Sequence, residues 1–216
     1  MSNIGDDKNQ ESIVFSVKFP EATDKLFTTQ EDWWNNACVN WCWDEWGIYA
    51  DGYKDAANIL VKQVEKRSEG ALQDTLVYPI VFLYRQYLEL AIKGLLKDAR
   101  RLQDIDEPLP MHHRIYDLWG ECRALLKEIS PGDSEDALDQ ITRLLKEFST
   151  VDPTSEAFRY PHNKKGKPSL EGMTHINLRV LRETMDGISN LLCGAQAQIS
   201  EYLGYKADMA REYGDY

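Results

Sequence analysis

Residues 75–102, TLVYPIVFLYRQYLELAIKGLLKDARRL, decide the fold. Val77, Val81, Tyr84, Leu88, Ala91 or Ile92 and Leu95 recur at alternating spacings of four and three, which is one apolar stripe on a helix and not the alternation of a strand. The helix is expected to open at Asp74 or Thr75, whose side chains can accept a hydrogen bond from the free amides of a first turn. Pro79 falls near the end of that turn, where its missing donor costs little. Arg85, Glu89 and Lys93 flank the stripe at spacings of four, so Glu89 can pair with either neighbour along one helix face. Such pairs are common on helix surfaces, and this one reads as a polar edge facing solvent or a partner.

Outward from this helix, the same periodicity predicts others. One covers 51–67, with Ala56, Ala57, Leu60, Val61 and Val64 inward. Another opens at His112 and His113 and presents Ile115, Leu118, Trp119, Cys122, Leu125 and Leu126 to the core, and a third covers 136–148. The last carries Leu178, Leu181, Met185, Ile188, Leu192, Ala195, Ile199 and Tyr202 or Leu203, a regularity that suits a bundle seam or a two-helix dimer contact. Towards the N-terminus, Thr28 or Thr29 ahead of Glu31 and Asp32 signals a further helix start. Five of the six tryptophans follow in WWNNACVNWCWDEW, with Trp34, Cys38, Trp41 and Glu45 on one face and Trp33 and Trp43 off it. This helix is expected either wedged between the bundle and an N-terminal arm or at an oligomer interface, where tryptophan is enriched. Residues 13–19, IVFSVKF, alternate apolar and polar without a second strand to pair with, and are expected as an extended segment packed on the bundle. The expectation is an all-α fold, an antiparallel helical bundle over 31–205, with a short extended N-terminal arm over 1–30 and a charged, frayed tail over 206–216.

Composition bounds what such a bundle can do. A chain of 216 residues is a little over one domain at roughly 150 residues per domain and can bury a core without metals or disulfides. A net charge of -11 and a pI near 4.9 argue against wholesale nucleic-acid binding, because the summed field repels phosphate, but leave room for a local basic patch. Cys38, Cys42, Cys122 and Cys193 lack the dense spacing of a secreted disulfide scaffold and read as reduced thiols of a cytoplasmic protein. Cys38 and Cys42 stand four apart with no nearby histidine or second thiol pair, so no metal and no cofactor is expected. No apolar run has the length to cross a bilayer, and the opening MSNIGDDKNQES is polar and acidic where a signal peptide is basic and then apolar, so no membrane association is expected. The chain has no serine elbow, no phosphate-cradling glycine loop and no HExxH pair, which sets several large enzyme classes aside.

The strongest functional segment is DPTSEAFRYPHNKKGKP, residues 152–168, inside a helix-breaking connection that holds Pro153, Pro161, Gly166, Pro168 and Gly172. Connections of this length are more often functional or mobile than incidental. No acidic residue lies between Glu156 and Glu171, while Arg159, His162, Lys164, Lys165 and Lys167 gather there. Arginine can hold two phosphate oxygens, lysine adds point charge, histidine exchanges a proton near neutral pH, and Tyr160 can stack on a base. The ordinary alternative is that Arg159 pairs with Asp152 or Glu156 while Phe158 and Tyr160 anchor the loop. His112, His113 and His175 read first as structural, because a histidine at a helix start bonds to the exposed backbone there.

In combination and in this order, YPIVFLYRQYLELAIKGLL, HRIYDLW, DPTSEAFRYPHNKKG and INLRVL resemble the HEPN-like helical bundles of a group of prokaryotic proteins, over about 51–205. The resemblance implies an antiparallel bundle that commonly dimerises, in a superfamily where many members are metal-independent endoribonucleases of toxin and antiphage systems and others are noncatalytic binding modules. Active members carry an arginine followed four to six residues later by a histidine; the nearest match is Arg159 with His162, three apart, so the pair does not transfer residue by residue. In a cleaving enzyme His162 would move the ribose 2'-hydroxyl proton and Arg159 would stabilise charge on the phosphorane, with no metal. Tyr160, Asn163, Lys164, Lys165 and Lys167 would hold the nucleic acid or phosphate, and Arg85, Glu89, His113, Asp152 and Ser155 would line or support the groove. The implied function is RNA or nucleotide binding by a homodimer, with endoribonuclease action in a stress, toxin–antitoxin or antiphage system and a protein partner from the same system. The alternative is a noncatalytic interaction or scaffold module with a degenerate site.

Overall fold

The computed structural model describes residues 18–42, 44–66, 71–132 and 135–213, and the chain divides into two units, Met1–Trp41 and Cys42–Tyr216. The second unit is an all-α bundle of five helices: α1 Glu45–Lys66, α2 Leu72–Leu102, α3 Ile115–Ile129, α4 Glu135–Val151 and α5 Leu178–Tyr213. No strand occurs among the described residues, only an isolated bridge between His162 and Pro168. None of the described helices is long and apolar enough to cross a membrane.

The organising helix is α2, which packs against α1, α3 and α5. Covered by three neighbours, it buries residues of every character, from Ile80, Tyr84 and Leu88 to Leu95, Leu96 and Ala99. Against α1 it runs antiparallel: the Tyr84 hydroxyl donates to Asn58 Oδ1 at 2.7 Å, and further along α2 the backbone at Gly94 lies against Trp46. A Cβ at position 94 would sit 3.1 Å from the Trp46 Cβ, so glycine there permits the close approach. In α3 and α4 the pairing is also antiparallel, with Trp119 Nε1 donating to Thr142 Oγ1 at 2.8 Å and Lys127 meeting Glu135 near the connecting turn. Short connections force this arrangement.

Longer connections allow another. Gln196 donates to Asp98 and Lys206 to the Leu102 carbonyl, so α5 ascends alongside α2 in the same direction, while Lys54 with Asp186 and Arg182 with Glu65 set it antiparallel to α1. The buried Arg100 guanidinium donates to the Pro108 carbonyl and to Glu121 Oε2, both at 2.9 Å, and ties the 103–114 connection back to α2 so that α3 can start beside it.

Several boundaries differ from those expected. The first helix begins at Glu45 and runs through Gly47 and Gly52, because Asp44 Oδ1 accepts the Gly47 amide at 3.0 Å and caps it. Helix α2 begins at Leu72, with the Thr75 hydroxyl bonded back to the Leu72 carbonyl and not capping, so Pro79 lies inside the helix. The last helix continues through the stretch expected to fray, held where Lys206 reaches Leu102 and Asp104.

Among the described residues of the first unit there is no tryptophan-rich helix, only the 3-10 turn Trp33–Asn35. Its asparagines compete with helical bonding: Asn36 accepts the Gln30 amide and donates to the Gln30 carbonyl, and Asn40 stands at φ 58°. Trp33, Trp34 and Trp41 are largely exposed in the single chain, and the first two meet edge to face at 6.3 Å. Trp43 and residues 13–17 of the expected extended segment lie outside the described residues.

Candidate functional site

The charged stripe of α2 is not a wet edge. Arg85, Glu89 and Lys93 are 0, 2 and 7 % exposed. Buried charges persist only when paired and hydrogen-bonded. Here Glu89 is the shared acceptor, taking Arg85 Nη1 at 3.3 Å through Oε2 and Lys93 Nζ at 2.9 Å through Oε1. A third partner arrives from the segment just before α3, where His113 Nδ1 lies 2.8 Å from Glu89 Oε1. Arg85 Nη2 also donates to the His113 carbonyl, so backbone and ring of His113 are both tied to this stripe.

The electrostatics follow from this geometry. Burial raises the Glu89 pKa, but hydrogen bonds from Lys93 and His113 and the charges of Lys93 and Arg85 outweigh it, and the net shift is downward from 4.5. For Arg85, burial lowers the pKa, opposed by Glu89 and by Asp152, with Arg159 acting in the same sense as burial. The guanidinium therefore feels Asp152 and Arg159 of the 152–177 connection, one of each sign.

That connection is built from its first residue. Asp152, 1 % exposed, accepts the Glu156 and Ala157 amides on Oδ1 at 2.8 and 3.1 Å, closing a turn in which Ser155 takes φ 63°. Phe158 is buried and anchors the turn, as the ordinary reading expected. Arg159 follows, its Nε donating to the Ser155 carbonyl and its guanidinium carbon 5.6 Å from the Phe82 ring centre and 5.5 Å from that of Tyr160. It makes no ion pair with Asp152 or Glu156; Glu156 pairs instead with Lys164 at 2.9 Å. Tyr160 is 55 % exposed.

Beyond Pro161 the chain makes a tight reversal. The Asn163 side-chain oxygen accepts the Lys165 and Lys167 amides at 2.9 and 3.2 Å, the Asn163 amide bonds the Lys167 carbonyl, and Gly166 supplies the left-handed residue at φ 74°. Asn163 thus builds the turn, and His162, Lys164, Lys165 and Lys167 are displayed on it, all exposed. The His162 ring makes no hydrogen bond among the described residues, to Arg159 or to anything else.

Arg85, Glu89 and His113 are thus in direct contact, Asp152 and Arg159 are within electrostatic reach of Arg85, and Ser155 holds Arg159. Sequence reasoning placed Lys93 and Phe82 outside the site, although Lys93 shares Glu89 and Phe82 lies under Arg159. Two shallow depressions, of about 410 and 300 Å³, lie elsewhere, one beside Arg101 and Ile105 and the other beside Tyr116 and Arg123. The first is lined by Lys97, Arg100 and Arg101 with Asp104, Asp106 and Glu107, and neither is lined by a histidine or a cysteine. Among the described residues no group of three or more His, Cys, Asp or Glu is placed to hold a metal ion, and the cysteines are unpaired. No family model matches this chain, and neither a curated protein nor a solved structure matches it.

Proposed function

We propose that this chain is a HEPN-like protein that binds RNA or a nucleotide on the side of α2 shared by Arg85, Glu89 and the cationic connection. In this reading it acts as a homodimeric, metal-independent endoribonuclease in a prokaryotic stress, toxin–antitoxin or antiphage system. One observation carries the binding: the exposed Arg159 guanidinium rests on Phe82 and Tyr160 and has no carboxylate partner among the described residues. Stacked on a ring, a guanidinium is held in place while its Nη groups stay free for two phosphate oxygens. Lys165 and Lys167, exposed and unpaired among the described residues, add charge beside it.

The test is binding of a fluorescein-labelled single-stranded RNA by anisotropy across a salt series. Arg159→Ala is expected to weaken binding and to reduce the salt slope by about one contact, with the melting temperature unchanged. Equal affinity in the variant and the parent refutes the assignment. A second reading, a noncatalytic module, is favoured by the His162 ring, which nothing among the described residues orients for proton transfer. It predicts retained RNA binding with no product.

A further inference from the structure

Four histidines are present, and one of them is built like an acid–base group. The His162 and His175 rings make no hydrogen bond among the described residues, and the His112 ring only accepts the Arg114 amide at 3.3 Å. His113 is different. Its Nδ1 lies 2.8 Å from the Oε1 of Glu89, a carboxylate whose side chain is 3 % exposed, while its own side chain is 65 % exposed. An ionised carboxylate can only accept, so the neutral ring must carry its proton on Nδ1 and present the Nε2 lone pair. Nε2 makes no hydrogen bond among the described residues.

The surroundings fix this orientation. Arg85 holds the His113 carbonyl and Glu89 at once, and Lys93 takes the same Oε1 as the ring, so the carboxylate cannot turn away without breaking two further contacts. Phe82, Arg85 and Glu89 follow at spacings of three and four on one face of α2. Arg159, on Phe82, and His113, on Glu89, are therefore on the same side of the helix, two turns or about 10 Å apart along its axis.

We infer that the Glu89–His113 pair is the proton-transfer unit of this site, with His113 Nε2 as general base towards the ribose 2'-hydroxyl of an RNA strand and Glu89 as its positioning residue. The inference rests on the RNA reading above and moves the proton-transfer role from His162 to His113. The 2'-hydroxyl proton passes to Nε2 as the 2'-oxygen forms a bond to phosphorus. The bond from phosphorus to the 5'-oxygen breaks, that oxygen takes a proton from water, and His113 returns its own proton to water. The products are a 2',3'-cyclic phosphate and a 5'-hydroxyl, with no oxidant, reductant or further reactant. Arg159 holds the phosphate, and His162 contributes to binding.

The groups that set the pH response are Glu89, Arg85 and Lys93 on α2, the mutually paired Arg114 and Asp117 that follow His113 in the chain, and Asp152 and Arg159 on the connection. The experiment uses the full chain in EDTA with a labelled single-stranded RNA, and an all-2'-O-methyl version of the same strand to read binding without reaction. His113→Ala is expected to lower kcat by about a hundredfold or more, to bind the 2'-O-methyl strand within about twofold of the parent, and to regain rate when imidazole is added. His162→Ala is expected to raise KM and leave the low-pH limb of the rate profile in place, whereas His113→Ala removes that limb. His175→Ala serves as the unchanged control. Glu89→Gln, checked for fold by circular dichroism, is expected to lower kcat and shift the limb. Cleavage by His113→Ala at the parental rate overturns the inference. A parent that binds the 2'-O-methyl strand but leaves RNA intact overturns it too and leaves the binding reading standing, whereas failure to bind removes both.

Discussion

Replacing Glu89 by alanine would leave Arg85 and Lys93, 0 and 7 % exposed, as two buried cations without their shared counter-ion. Breaking a buried ion pair by removing one partner costs about 3–5 kcal/mol, because the charge left behind keeps its desolvation penalty and loses its compensation. For a chain of this size each kcal/mol lowers the melting temperature by about 2–4 °C, so a fall of about 6–20 °C is expected. The triple replacement Arg85→Met, Glu89→Leu and Lys93→Met removes all three charges at similar volume and is expected to recover most of that loss. His113→Ala, which takes away one exposed partner, is expected to cost about 1 kcal/mol or less.

Acid separates the same variants. Glu89 is held below 4.5 in the folded chain, so its contribution is complete above the unfolded value of 4.5 and is lost as the pH falls through the lower folded value. Between about pH 5 and pH 3 the parent should therefore lose more stability than the triple variant, which has no carboxylate at this position. Urea melts followed by circular dichroism at both pH values read the difference. If Glu89→Ala melts within about 1 kcal/mol of the parent at neutral pH, water reaches these charges in solution and the buried network is not what holds His113.

Other consequences can be checked with single substitutions. Asp152→Ala removes the acceptor of the Glu156 and Ala157 amides and should cost about 0.5–2 kcal/mol, with faster limited proteolysis near Arg159; unchanged cleavage there would mean that Phe158 alone holds the turn. Thr142→Val strips the acceptor from the fully buried Trp119 Nε1 and should cost about 1–3 kcal/mol in urea unfolding, with near-parental stability refuting the bond.

The helical class and the core faces of the five bundle helices were legible because apolar residues at spacings of three and four leave few alternatives. Leu178, Met185, Ile188, Leu192 and Ile199, read as the seam of the last helix, are buried as expected. The tryptophan-rich segment misled for a physical reason. Its acids and aromatics fit a helix, but Asn36 satisfies the Gln30 backbone locally and Asn40 adopts a left-handed conformation, and neither choice leaves a periodic trace. At the candidate site, the cations of the connection were visible in composition, whereas Asn163 was grouped with them although its oxygen serves the turn.

The stripe on α2 carried a signal that the pairing pattern concealed. Charges at 85, 89 and 93 look alike on a wet helix and a covered one, so the neighbouring sector has to decide. At about 100° per residue, Phe82 and Leu96 fall within the same sector as Glu89 and Lys93, and apolar residues interleaved with charges in one sector mean that the sector is covered. Leu96 is indeed fully buried, and the half-buried Phe82 is covered by Arg159, which lies 74 positions after Arg85 in the chain. No local pattern links features so far apart. Their meeting depends on Phe158 burying itself where the chain leaves α4 and on Arg100 folding the 103–114 connection back, so that His113 reaches Glu89 and Arg159 reaches Phe82 on one side of α2. Packing of apolar anchors brings the charges together, and the charges then have only each other, and whatever anion Arg159 can hold, as partners.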